Sequence, residues 1–224
     1  NVYFDYAEFN EEADFSNITS HKTAGYTLFD YAKFKQGEAI FNGSDFFGET
    51  HFKKTTFCNY VSFRDVDFRG NANFLDVSFE GWVLFVLTRV HAFFNCLHWH
   101  VSKPSQFINC SINRLSYSTH SGEILTLNEC KIPVSGYWEF AFADCSRLRF
   151  INIRDMSKLD FIGANIRNTI FESCYWERDS KNHYAKLYNH DAMLSVGNQT
   201  MHQLRSLYQQ LKINLEDNRD FIQS

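Results

Sequence analysis

Phenylalanine recurs at regular intervals in this chain. Between residues 41 and 85, and leaving aside Phe47, the spacing of successive phenylalanines alternates between five and six, which makes a double step of eleven residues. An α-helix repeats its apolar side chain every three or four positions and a half-buried strand every two, so neither element accounts for this period. The period is typical of a stacked array of short units, each supplying one inward side chain. The run comprises Phe41, Phe46, Phe52, Phe57, Phe63, Phe68, Phe74, Phe79 and Phe85.

A second column of small or β-branched residues stands two positions before each phenylalanine. We therefore expect two inward positions per unit, one bulky and one small, and solvent-facing positions between them. Charged side chains such as Glu8, Arg64 and Asp76 occupy those intervening positions. The small column ahead of the nine phenylalanines is Ala39, Ser44, Thr50, Thr55, Val61, Val66, Ala72, Val77 and Val83.

This pattern resembles the pentapeptide-repeat family, whose unit has a small residue, usually Asn or Asp, before a central Leu or Phe and two variable residues. The nearest single copy is the segment 164–168, Ala-Asn-Ile-Arg-Asn, flanked by Phe161 and Phe171. The resemblance implies a mainly β fold, a right-handed quadrilateral β-helix solenoid in which four units make one square coil. The eleven-residue step is similar to the phenylalanine-rich bacterial branch, in which every second unit has one extra residue.

The extra residue has its own signature, a glycine or asparagine that recurs every eleven positions. Both residue types tolerate positive φ, so the pattern predicts bulged corners with positive φ at these sites. The pattern also predicts that Gly48 stacks over Gly70 and that Asn59 stacks over Gly81. The recurring residues are Gly37, Gly48, Asn59, Gly70 and Gly81.

The regular pattern weakens after Phe85 and resumes on a five-residue frame from Phe107. We expect residues 1–175 to form the β-helix, with an irregular loop between Arg89 and Pro104. Residues 176–224 are then a linker followed by a C-terminal amphipathic helical segment. The chain begins within a repeat, at Val2, and ends where a second helix is expected, so we expect it to belong to a longer protein.

The helical segment is predicted from Asn198 onward, where apolar residues step by three and four. Its apolar face must be buried, and the end of a β-solenoid exposes unpaired strand edges that native proteins cover. We therefore predict that this helix caps the last coil, near Ile166 and Phe171. The predicted apolar stripe is Met201, Leu204, Tyr208, Leu211 and Leu215.

No residues are nominated as catalytic, cofactor-binding or metal-binding. Cys110 and Cys130 fall in the small inward column and are expected to be buried, unreactive thiols. His98 and His100 flank Trp99 and would share one face of a strand near His91, but no further ligand stands at a recognisable spacing. The chain also lacks a nucleophile elbow, a phosphate-binding loop and a zinc-protease helix, so no enzyme activity and no cofactor are expected.

Three functions fit the sequence. The first is a non-enzymatic scaffold or protein-interaction module, either free or as the soluble part of a larger membrane-tethered protein. The second is a DNA mimic of the gyrase-protecting type, and the third is an enzyme with its site between residues 89 and 104. The resemblance to bacterial proteins implies a reducing cytoplasm, at the cytoplasmic face of a membrane if the full protein is tethered.

The numbers of acidic and basic residues favour the scaffold over the DNA mimic. A DNA mimic must present roughly one negative charge per ~1.7 Å of its length. The chain has 26 acidic and 22 basic residues. Residues 1–88 hold 13 acids and 7 bases, but residues 89–175 reverse the balance with 7 acids and 9 bases. We therefore expect another protein as the partner, and we do not expect nucleic acid.

Overall fold

The computed structural model describes residues 1–20, 25–122, 124–140, 142–176 and 198–217. Short parallel strands stack in four ladders, and each coil of the chain passes through all four sides of a square column. In the most regular coils, each turn of the column takes 22 residues, as the pairing of Phe63 with Phe85 shows. The predicted mainly β quadrilateral solenoid with a C-terminal helix is therefore confirmed.

The strands are short because each side of the square is short. In chain order they are β1 (Val2–Tyr3), β2 (Glu8–Phe9), β3 (Ala13–Asp14), β4 (Tyr26–Leu28), β5 (Lys33–Phe34), β6 (Ala39–Ile40), β7 (Asp45–Phe46), β8 (Glu49–His51), β9 (Thr56–Phe57), β10 (Val61–Arg64), β11 (Asp67–Phe68), β12 (Ala72–Asn73), β13 (Ser78–Phe79), β14 (Val83–Val86), β15 (Arg89–Val101), β16 (Ser105–Ile108), β17 (Ser111–Gly122), β18 (Leu125–Asn128), β19 (Tyr137–Glu139), β20 (Leu148–Ile151), β21 (Leu159–Asp160) and β22 (Ile170–Glu172). A 3-10 turn spans Met156–Lys158, and the helix α1 spans Asn198–Asp217.

The four ladders are numbered in the order in which a coil passes through them. Ladder I contains eight strands, β3, β6, β10, β14, β16, β18, β20 and β22. Ladder II contains β7, β11 and the first residues of β15 and β17. Ladder III contains β1, β4, β8, β12, the middle of β15 and β17, β19 and β21. Ladder IV contains β2, β5, β9, β13 and the last residues of β15 and β17.

The phenylalanines fill the interior of the column. Phe63 is fully buried and stacks face to face on Phe41 and Phe85, with ring centroids 4.8 Å and 4.6 Å away. These distances match the ~4.8 Å separation of paired strands, so each ladder carries its own stack of rings. The nine phenylalanines of the predicted lattice are fully buried, which confirms their inward positions, whereas Phe47 lies outside the lattice and is half-buried.

Two kinds of corner alternate around the coil. At the tight corners, the second residue after an inward phenylalanine has positive φ, as at Tyr31 (60°) and Lys54 (57°). The next N–H closes a four-residue turn, such as that from Thr55 N to the Phe52 carbonyl oxygen at 3.1 Å. This is the type II pattern, which places the left-handed residue at the third position of the turn. Positive φ therefore belongs chiefly to corners without an extra residue.

The wide corners contain the extra residue, and here the predicted conformation is wrong. Gly37 has φ of +71°, but Gly48, Gly70 and Gly81 are outside the positive-φ region. Glycine is required at these positions for a different reason, because successive coils approach each other closely there. A Cβ on Gly81 would lie 2.3 Å from the Asn59 carbonyl oxygen, and one on Gly70 would lie 2.5 Å from the Gly48 carbonyl oxygen. The predicted stacking of Gly48 with Gly70 and of Asn59 with Gly81 is confirmed.

The stretch predicted as an irregular loop is instead the long strand β15. It pairs with β11, β12 and β13 on one side and with β17 on the other. Phe94, Cys96 and Trp99 point inward and are fully buried, so the coil continues although two of the inward residues are not phenylalanine. The irregularity is confined to register shifts against β17, for example between Val90 and Phe93. The prediction of a loop between Arg89 and Pro104 is therefore wrong, whereas the boundary at residue 175 stays a prediction.

Helix α1 packs against the last coil, as predicted. Leu204, Leu207 and Leu211 are buried, at 4%, 2% and 3% exposure, and Tyr208 is partly buried. Polar contacts fix the register, because Asn214 Nδ2 donates to carbonyl oxygens of the last coil. The stripe predicted from sequence omitted the buried residues 207 and 214. The side chains of residues 201 and 215, and the linker residues 177–197, lie outside the described residues of the chain.

Candidate interaction surface on ladder I

The outward side of ladder I is apolar in its middle coils. On β14 the residues Val83 and Phe85 point inward and are buried, so by strand alternation Trp82, Leu84 and Val86 point outward. The same alternation places apolar residues outward on the next two strands of the ladder. We define the apolar patch as Trp82, Leu84, Val86, Pro104, Ile108 and Ile124.

The members of the apolar patch are neighbours across the ladder. Val86 pairs directly with Ile108, whereas Leu84 pairs with Gln106, an exposed polar residue that lies among the members of the patch. Paired strands lie ~4.8 Å apart, so outward side chains on successive strands are close enough to form one surface. Trp82 is 52% exposed and Ile124 is 39% exposed. A contiguous exposed patch that contains a tryptophan is typical of an interaction site rather than of a solvated face.

Opposite charges flank the apolar patch along the solenoid axis. The first coils of ladder I present acidic side chains, with Asp14 on β3 and Glu38 directly before β6, and both residues are exposed. The β20 end presents basic side chains, with Arg147 and Arg149 two residues apart on the outward side. Arg149 makes one long ion pair of 3.9 Å with Glu172 on β22. Ladder I is therefore acidic at one end, apolar in the middle and basic at the other end.

Ladder II, in contrast, carries a network of mutually neutralising charges. Arg69 makes two hydrogen bonds of 2.8 Å to Asp45, and the Asp45 side chain raises the pKa of the Arg69 guanidinium. Arg89 contacts both Asp65 and Asp67, at 3.3 Å and 3.6 Å. Acids and bases thus alternate between neighbouring coils, which leaves little uncompensated negative charge on this side.

Ladder III is polar, and its acidic groups are partly buried. Burial raises the pKa of the Asp160 carboxyl, and the neighbouring Glu139 raises it further. The two residues are paired on adjacent strands β19 and β21. Burial likewise raises the pKa of the Asp30 carboxyl. Asp30 Oδ2 lies 3.8 Å from His51 Nδ1, and His51 Nε2 lies 3.3 Å from Glu49 Oε2, so the described contacts of this side include one imidazole between two carboxylates.

The histidines that suggested a metal site are dispersed over the column. His91 lies on the ladder II side, where its Nε2 is 2.7 Å from Asp67 Oδ1. His98 lies at a tight corner with φ of 60°, and its Nδ1 is 3.0 Å from Asp76 Oδ1. His100 is on ladder IV, where β15 pairs with β13. Within the described ranges, no three potential ligands among His, Cys, Asp and Glu are close enough together to hold a metal ion.

The cysteines of the small inward column are buried, as predicted. Cys110 and Cys130 are 0% and 3% exposed, and both are reduced thiols. Cys96 and Cys145 are buried as well, and burial raises the pKa of both thiols. A buried thiol with a raised pKa is a poor nucleophile, so Cys96 and Cys145 serve as small apolar residues of the core.

The sequence contains one sign of the apolar patch, which the pattern of inward residues does not include. Most outward positions of the repeats are polar, but positions 82, 84 and 86 are all apolar. The repeat pattern predicts the inward columns and leaves the positions between them to solvent. The pattern of inward residues therefore does not reveal the apolar outward positions. These positions form one surface only when β14, β16 and the start of β18 are stacked.

The first coils of the chain match a known family model. The family model described as "Pentapeptide repeats (9 copies)" matches residues 4–56. No curated protein and no solved structure matches the chain. In the described residues no helix is both long enough and apolar enough to span a bilayer. The repeats of residues 4–56 thus belong to the pentapeptide-repeat family, and the square coils that they begin continue in the described residues to Trp176.

Proposed function

We propose that this chain is a non-enzymatic scaffold that binds a protein surface through the apolar patch of ladder I. The family and the solenoid architecture are consistent with a non-enzymatic repeat protein. The observation that carries the proposal is the exposure of Trp82 and Ile124 beside Leu84, Val86 and Ile108 on one side of the column. An apolar centre with tryptophan and a charged rim is the usual composition of a specific protein interface.

The solenoid also presents the apolar patch in a rigid form. The backbones of β14, β16 and β18 are paired on both sides, and the rings of Phe85 and Phe107 beneath them stack at 4.5 Å. A partner that docks on such a surface orders few side chains of the scaffold, which lowers the entropic cost of binding. Rigid presentation therefore supports recognition by surface shape, without a cavity or a moving loop.

The alternative of a DNA mimic has weaker support. The acid-rich first coils pair their carboxylates with Arg69 and Arg89 on ladder II. Ladder I then becomes apolar, and its last coils are basic at Arg147 and Arg149. A mimic needs uncompensated negative charge along its whole length. Attachment to a membrane would depend on segments outside this chain and stays a proposal.

The proposal is tested with two matched variants. Leu84→Glu introduces a charge into the apolar patch, and Leu97→Glu makes the same change at a half-buried outward position on another side of the column. Each tagged protein is expressed in the source cells, cross-linked and purified with its bound proteins. We expect proteins captured by the wild type to be lost from Leu84→Glu and kept by Leu97→Glu.

Two results would contradict the proposal. The first is capture of the same proteins by Leu84→Glu as by the wild type, which would place the binding surface elsewhere. The second is equal loss in both variants, which would show sensitivity to any added charge. Circular dichroism of both variants confirms that the solenoid is intact before capture is compared.

A further inference from the structure

The order of acidic, apolar and basic residues along ladder I makes this surface complementary to the same surface on a second copy of the chain. Ladder I is acidic around Asp14 and Glu38, apolar in the middle and basic around Arg149. A surface with this order is complementary to the same surface turned end for end, because the acidic end then meets the basic end. We propose that the partner seated on ladder I is a second copy of this chain, in an antiparallel back-to-back dimer. This inference rests on the proposed function, since it names the occupant of the same apolar patch.

The register of the strands fixes how the two copies would meet. A two-fold axis that lies in the interface plane, parallel to the strands and between the paired residues Leu84 and Gln106, places β14 of one copy over β16 of the other. Trp82 then faces Pro104 of the partner subunit, and Val86 faces Ile108 of the partner subunit. The exposed indole thus covers an apolar residue twice in the interface, once on each side of the axis. This is the self-complementary arrangement that an isologous dimer requires.

The same operation aligns the charged ends. It exchanges β6 with β20, because these strands lie at equal distances on either side of the axis in the order of ladder I. Arg147 then faces Glu38 of the partner subunit, and Arg149, outward in the middle of β20, lies beside Asp14 and Glu38 of the partner subunit. A second copy in the opposite, parallel orientation would instead place Arg149 beside Arg149 of the partner subunit. Charge therefore selects the antiparallel orientation.

The available area is sufficient for a specific dimer. Eight strands spaced ~4.8 Å apart give ladder I a length of ~34 Å, and outward side chains over a width of ~15 Å make ~500 Å² per subunit. Two such surfaces together bury ~1,000 Å², which reaches the lower limit for a specific interface. We therefore expect a dimer of moderate affinity that depends on protein concentration.

Sedimentation of the purified full chain tests the inference. Over ~1 to ~100 µM the wild type is expected to shift from the mass of one 26.3 kDa chain toward twice that mass. Leu84→Glu and Ile108→Glu should each raise the dissociation constant at least ~10-fold, since each buries a carboxylate in the apolar centre. Leu97→Glu should leave the dissociation constant unchanged. The two patch variants are independent, so misfolding of one leaves the other as the test.

Charge reversal tests the orientation. Glu38→Arg and Arg149→Glu should each weaken the dimer, and the double variant should restore its dissociation constant to within ~3-fold of the wild type. Absence of this rescue would overturn the antiparallel arrangement. A wild type that stays monomeric at ~100 µM would overturn the dimer. If the cellular capture is nevertheless lost in Leu84→Glu, the proposed function stands without this inference, whereas capture unaffected by Leu84→Glu contradicts the proposed function itself.

Discussion

Gly70 stacks directly on Gly48, so closely that a Cβ on Gly70 would lie 2.5 Å from the Gly48 carbonyl oxygen. We predict that Gly70→Val destabilises the protein by ~1 to 3 kcal/mol or more, because the new side chain must push two successive coils apart. Asn71→Val, at the exposed neighbouring position, is the control for the change in side-chain type. Urea unfolding of both variants measures the difference. Equal stability of the two variants would contradict the close approach of the coils.

The second prediction concerns the aromatic stacks. Phe63→Ala is expected to cost ~3 to 5 kcal/mol, because it opens a cavity in a fully buried stack between Phe41 and Phe85. Phe47→Ala removes a half-buried ring on the outward side of ladder II and should cost much less. The free energy of unfolding from denaturant titration checks both values. A cost below ~1 kcal/mol for Phe63→Ala would mean that the ring is not part of a tightly packed core.

The third prediction concerns the contact between helix and solenoid. Asn214 Nδ2 donates to the carbonyl oxygens of Ile166 at 2.8 Å and Thr169 at 2.7 Å, in a buried position. Asn214→Ala is expected to destabilise the cap by ~1 to 3 kcal/mol, because both acceptors lose their donor. Asn214→Asp should be at least as harmful at neutral pH, since a carboxylate would face two carbonyl oxygens. Hydrogen exchange of α1 measures the effect, with Lys212→Ala on the exposed side of the helix as the control.

Deletion of residues 198–224 tests the role of α1 as a cover. We predict that the coils still form and that the shortened protein associates end to end, because the last strand edge and the apolar end of the column are exposed. Circular dichroism follows the β structure, and sedimentation at increasing concentration follows the association. A shortened chain that associates no more than the full chain would show that α1 is not needed as a cover.

The fifth prediction concerns pH. The pKa of Asp160 is raised above its ordinary value of 3.8, chiefly by burial, so the folded protein holds this proton more tightly than the unfolded chain. The stability contributed by Asp160 is therefore lost as the pH rises from that value through the folded pKa. Asp160→Asn should stabilise the protein at pH ~7 and have little effect at pH ~3, where the carboxyl is protonated in both states. Denaturant unfolding at the two pH values, beside the exposed control Glu129→Gln, measures the difference. A larger gain at pH ~3 would contradict the assignment.

Sequence patterns predicted the interior of this protein well, because every coil needs side chains of similar size at its inward positions. A bulky residue such as Phe52 and a small residue two positions earlier, Thr50, recur because each coil must fill the same square cross-section. The prediction failed at β15 for the same reason. Cys96 and Trp99 fill the cross-section in place of phenylalanine. The coils therefore continue although the regular spacing of phenylalanines has ended.

The period, the inward columns and the helical stripe were predictable from the amino-acid pattern, since they depend on residues close together in the chain. Which outward residues become neighbours depends instead on how the folded coils stack. Trp82 and Ile124 are far apart in the chain, yet stacking places them two strands apart on ladder I, with Pro104 between them. Positive φ at Tyr31 rather than at Gly48 was likewise decided by coil stacking and turn closure. The physical reason is that a repeat specifies its own inward side chains, whereas a surface is made by side chains from successive coils.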